Sequence, residues 1–78
     1  MARRYRPARM AAMDVEWGDV IVTGPSVQPT RQVGTVVAVH TEDGWRHITI
    51  RKPNGERETM RPVAEERPVW VNVPGGSA

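Results

Sequence analysis

Four arginines stand in the first nine residues of this chain, Arg3, Arg4, Arg6 and Arg9, with Tyr5 among them and no acid. Guanidinium groups on a mobile segment can track a phosphate backbone by counterion release, and a neighbouring tyrosine can stack on a base. Such contacts give salt-sensitive association without sequence readout. A second basic group, Arg46, Arg51, Lys52, Arg57 and Arg61, brackets the middle of the chain. Glu56 and Glu58 interleave with it, so it reads either as a nucleic-acid-binding surface or as a face of cross-strand ion pairs.

The large aromatic side chains are Trp17, Trp45 and Trp70, and there is no Phe. A small core without Phe needs bulk from elsewhere, so at least one Trp is expected to be structural. Trp45 sits beside a turn on the polar face of its segment and is the candidate for an exposed contact to a partner, either a proline-rich peptide or a methylated ammonium group. Arg31 is the one charged residue of the loop over residues 26–33, bounded by Ser26 and Val33, and joins Trp45 as a candidate partner-binding residue.

His40 and His47 flank a turn that carries Glu42 and Asp43, but the spacing matches no strong zinc motif, and they are expected as hydrogen-bonded surface residues. Ser26 and Ser77 are the only serines, and neither lies in a nucleophile elbow. No glycine-rich phosphate loop opens a helix, and a chain of 78 residues has no room for a cavity of enzymatic size. The expectation is a module that is not an enzyme and holds no cofactor, no metal and no small-molecule substrate.

Composition narrows the scaffold that could position these groups. The absence of Cys excludes disulfides and thiolate metal sites. No apolar run approaches the ~20 residues that span a bilayer, and the arginines at the N-terminus are followed by no apolar stretch of the kind found in secretory signals. A cytoplasmic protein is therefore expected, with no membrane partner. The formal charge of +2 conceals an asymmetry: from Met10 onward seven basic side chains face nine acidic ones, so the positive excess belongs to the first nine residues. The apolar positions are dominated by Val and Ile, whose stiff χ1 suits strands, and seven Pro and seven Gly interrupt any long helix.

Along the chain, residues 1–13 have no hydrophobic period and read as a flexible basic arm. Met10 and Met13 are alternative starts, since Met13-Asp14-Val15-Glu16 leads directly into the first strand. Residues 14–24 form that strand, with Gly18-Asp19 marking a bulge. A proline-punctuated loop follows, then a second strand over residues 34–40 and a turn at Thr41-Glu42-Asp43-Gly44. Residues 45–52 alternate: Trp45, His47, Thr49 and Arg51 on one face, Arg46, Ile48, Ile50 and Lys52 on the other, with Ile48 and Ile50 toward the core. Pro53-Asn54-Gly55 predicts a type I′ hairpin turn. A returning strand over residues 56–60, a 3₁₀ turn near residues 62–65, a last strand over residues 69–73 and a frayed end over residues 74–78 complete the reading.

The stretch Gly18-Asp19-Val20-Ile21-Val22-Thr23-Gly24, followed by Val27, Arg31 and Gly34, then residues 36–39 and Glu42-Asp43-Gly44, resembles a small actinobacterial domain family of unknown function. The likeness covers residues 14–62 and implies an all-β, five-stranded SH3-like barrel, here over residues 14–73. Where that family carries an Asp-Gly-His-Glu turn and a Phe-Pro-Gly-Pro-Asp-Ala segment, this chain has Asn54-Gly55-Glu56-Arg57-Glu58 and Met60-Arg61-Pro62-Val63-Ala64-Glu65. The glycine frame is also similar to that of KOW elements, although the loop over residues 26–33 is longer and less basic than theirs. Two functions follow as expectations. One is an accessory module binding RNA or DNA weakly through Arg3, Arg4, Arg6 and Arg9, with Arg46, Arg51, Lys52 and Arg57 adding charge. The other is a protein-interaction or assembly module using the loop over residues 26–33, Trp45 and a strand edge.

Overall fold

A computed structural model describes residues 5–24 and 26–74. Seven strands form one antiparallel sheet: β1 (Tyr5–Ala11), β2 (Val20–Val22), β3 (Gln32–Glu42), β4 (Trp45–Arg51), β5 (Arg57–Thr59), β6 (Val63–Ala64) and β7 (Pro68–Pro74). Their order across the sheet is β1-β7-β2-β3-β4-β5, and β6 pairs with β4 beside β5. The described residues contain no α-helix, only a 3₁₀ turn at Ala12–Asp14. The all-β expectation is met, while the path of hydrogen bonds has open ends at β1 and β5.

Period-two alternation decides which residues enter the core. Val69 and Val71 of β7, Ile21 of β2, Val36 of β3, and Ile48 and Ile50 of β4 are buried together with Ala12 and Val15. Val36 lies opposite Ile50 and Ile21 opposite Val71, so the β-branched side chains meet as cross-strand pairs. Ile48 and Ile50 face inward as their alternation predicts.

Residues 5–11, expected within a flexible arm, are β1, paired with β7 from Tyr5↔Pro74 to Ala11↔Pro68. The physical reason is a short apolar alternation: Met10 packs against the core, Ala12 is fully buried, and β7 without β1 would be an unpaired edge. Ala12 and Met13 donate backbone hydrogen bonds to the carbonyls of Arg67 and Glu65, which straps the 3₁₀ turn over the core. Removal of residues 1–12 would therefore strip a strand and a core residue. Arg3, Arg4 and the end at residues 75–78 lie outside the described residues.

Three further expectations are corrected. The strand expected over residues 14–24 is confined to Val20–Val22, because a turn precedes it. Asp19 N–H donates to the Glu16 carbonyl, Asp19 Oδ2 accepts from Glu16 N–H at 2.9 Å, and Gly18 takes φ 93°. The turn at Pro53-Asn54-Gly55 is not type I′: only Gly55 has positive φ, and Gly55 N–H donates to the Lys52 carbonyl at 2.8 Å. Pro53 fixes its own φ near −65°, which suits a type I turn closed by a left-handed glycine. The two-residue turn with both φ values positive is Asp43 (51°) and Gly44 (81°), between the paired Glu42 and Trp45. Finally, residues 63–64 are strand β6; the only 3₁₀ turn among the described residues precedes β2.

Candidate functional site on the outer face of β3, β4 and β5

Because Ile48 and Ile50 point inward, Trp45, His47, Thr49 and Arg51 line the solvent side of β4. Register places Glu42, His40, Ala38 and Thr35 of β3 opposite them, in that order. On the other edge of β4, Thr59 faces Thr49 and Arg57 faces Arg51. Trp45 is half exposed. The His40 and His47 rings stack with centroids 4.5 Å apart and planes 2° from parallel. The Thr49 and Thr59 hydroxyls share a hydrogen bond of 3.0 Å. Aromatic surface at one end thus grades through hydroxyls into paired guanidinium groups at the other.

A shallow groove beside Trp45 is lined by Glu42, Asp43, His47, Arg61 and Pro62. A second depression shares Trp45, Arg61 and Pro62 with it and is lined further by Val63, Ala64 and Arg67. Arg61 supplies a cation at this aromatic end, where Glu42 and Asp43 supply the opposite sign. The stacked rings lie parallel rather than converging on a point, and no cluster of three or more His, Asp or Glu suited to a metal ion occurs among the described residues.

The basic residues read from the sequence divide by role. Arg51 and Arg57 are exposed on the outer face. Arg46 is not. It faces inward opposite Thr41, donates from Nη2 to the Val15 carbonyl and from Nη1 to Thr41 Oγ1, and has its Nε buried without a partner. A long cationic side chain at that position reaches the segment that caps the core, which explains its burial. Arg46→Met is expected to lower stability by about 1–3 kcal/mol, the cost of losing a charged donor to a buried carbonyl. Chemical denaturation checks this; an unchanged midpoint would mean that the Arg46 bonds contribute nothing. Lys52 is also on the inward side, with Nζ 2.6 Å from Glu58 Oε1. That hydrogen bond and charge raise the Lys52 ammonium above its ordinary pKa, so the pair is a self-neutralised surface contact.

The remaining candidates lie elsewhere. Arg6 and Arg9 are on β1, separated from β4 along the sheet by β7, β2 and β3. The Arg9 guanidinium sits 6.0 Å from the Trp70 ring centroid, at the outer limit of a cation–π contact. Trp70 is the structural tryptophan: its indole lies so close over Gly24 that a Cβ there would stand 2.8 Å from Nε1. Arg31 opens the approach to β3 and exchanges hydrogen bonds with Thr23, its N–H donating to Thr23 Oγ1 at 2.9 Å. It stands at the opposite end of β3 from Trp45's partner Glu42, about 35 Å away along an extended strand. The structure therefore does not bring Arg31 and Trp45 into one site. The stacked His40 and His47 belong to the outer face and were not chosen from sequence as binding residues. Their signal was there, since both flank one tight turn at equal distance. Trp17, at 75%, is the most exposed of the large hydrophobic side chains among the described residues, and nothing in its spacing distinguished it.

No protein-family model, curated protein or solved structure matches the chain significantly.

Proposed function

We propose that this protein is a non-catalytic module that binds nucleic acid weakly, and that its contact surface is the outer face of β3, β4 and β5. The observation that carries the reading is the half-exposed Trp45 in line with the stacked histidines and with Arg51 and Arg57. Stacking surface for bases beside cations for phosphates is the combination that holds nucleic acid without sequence preference. The strand order β7-β2-β3-β4-β5 supports an SH3-like unit to which β1 is added, and a long loop between β2 and β3 fits that architecture. The basic groups of the N-terminal stretch then assist as a diffuse field rather than as the binding site.

Fluorescence anisotropy of labelled RNA and DNA oligomers tests the reading. Loss of a stacking aromatic costs about 1–3 kcal/mol per base, so Trp45→Ala is expected to weaken binding by roughly 5- to 150-fold at unchanged stability. Equal affinity of wild type and variant would contradict the assignment. A second reading is favoured by the two shallow depressions that share Trp45 and Pro62 in their walls. If no oligomer binds and a proline-rich peptide does, the face serves a protein partner.

A further inference from the structure

We propose that Arg51 and Arg57 are a seat for the phosphodiester backbone of a single strand whose bases lie toward Trp45, so that the ligand is single-stranded rather than duplex nucleic acid. The inference rests on the nucleic-acid reading above and adds the form of the ligand. Arg51 and Arg57 are direct cross-strand partners on the solvent side. Residues so placed have Cβ atoms about 4.5–5.5 Å apart, where like charges repel. No acid relieves them. Glu58, next to Arg57 in sequence, points to the other face and is held by Lys52. Glu56 accepts from Asn54 Nδ2 at 2.8 Å through Oε1. The remaining neighbour across β3 is Thr35, which is uncharged. Among the described residues neither arginine has an ion pair, so a juxtaposition that costs stability is left for an anion from outside to offset.

The anion's form follows from what adjoins the pair. Thr49 and Thr59 come next along the face, then the histidines, then Trp45, six residues and about 20 Å from Arg51. A free phosphate would occupy the arginines alone and make no use of that length. A duplex could reach the arginines, but its bases stack on one another and cannot lie on an indole. Only an unpaired strand engages both ends.

The test is anisotropy titration with labelled 12-mers of deoxythymidine and of uridine, a 12-base-pair DNA duplex, and inorganic phosphate as competitor. Both single strands are expected to bind, and the duplex at least tenfold more weakly. Arg51→Gln and Arg57→Gln should each weaken single-strand binding by about tenfold. Each should also reduce the slope of log affinity on log salt by about 0.7. Because repulsion is relieved, each variant should melt at the same or a higher temperature at low salt, which a purely structural arginine would not do. A duplex bound as tightly as the single strands overturns the inference and leaves the nucleic-acid reading standing. Absence of binding by every oligomer overturns both. Full displacement of the strands by millimolar phosphate identifies a free-phosphate site and overturns the proposal, as does a lowered melting temperature in both variants.

Discussion

Ile50→Ala is expected to lower the melting temperature by on the order of 10–30 °C. Ile50 is one of the largest fully buried side chains, it lies opposite Val36, and it closes the core beneath the arginine end of the binding face. Truncation removes three carbons from a close-packed interior and leaves a cavity that the surrounding strands fill only in part. Such changes cost about 2–5 kcal/mol. A chain of 78 residues has a total stability of about 4–12 kcal/mol, so one substitution consumes a large share of it. Thermal or urea denaturation followed by circular dichroism checks the effect. A loss below about 1 kcal/mol would mean that the site is not the packed centre described above.

Gly34→Ala is expected to destabilise by about 1–3 kcal/mol through overpacking. Gly34 is buried in β3, paired to Ile21 of β2. A Cβ there would stand 2.8 Å from the Arg51 carbonyl oxygen and 2.9 Å from Ile50 Cδ1. The isoleucine tip can turn aside, but the carbonyl belongs to the β4 backbone and moves only if the strand does. That displacement reaches the binding face directly, because the same residue carries the Arg51 guanidinium. Gly34→Ala should therefore also weaken oligonucleotide binding under conditions where the chain remains folded. The neighbouring Thr35→Ala, on the solvent side, serves as control and should stay within about 0.5 kcal/mol of wild type. Equal stability of both variants would show that β3 and β4 do not approach so closely.

The strands with strong alternation were legible from sequence. Residues 45–52 declared both faces of β4, because Ile48 and Ile50 alternate with polar neighbours and a single slip would expose both. Gly34 read only as the start of the second strand, because the atoms that it meets belong to a strand 16 residues later. What the sequence hid depends on long-range partners. On its inward side β1 offers only Ala8 and Met10, continued by Ala12 in the 3₁₀ turn, an apolar signal too sparse to mark a strand until β7 supplies an edge. Arg46 looks like any surface arginine, and its inward reach is set by the Val15 carbonyl, 31 positions away. The turn at residues 53–55 was misread because Asn-Gly was weighed without Pro53, whose fixed φ near −65° favours the first central position of a type I turn and so shifts the turn one residue toward Lys52.

The face itself was half legible. The alternation of residues 45–52 already put Trp45 and Arg51 on one face, but joining Arg57 to them required the register of β4 with β5. That alternation also set Arg46 and Lys52 on the other face, while the register of β4 with β3 brought His40 against His47.

Ligand contact on the outer face of β3, β4 and β5 can be told apart from contact through the N-terminal arginines residue by residue. ¹H–¹⁵N correlation spectra of the full chain during titration with a single-stranded 12-mer test it most directly. The Trp45 indole N–H and the amides of His40, His47, Thr49, Arg51, Arg57 and Thr59 are expected to move, with the Trp70 indole unmoved. Shifts confined to residues 1–11 and the Trp70 indole would contradict it and return the binding to the arginine-rich N-terminus.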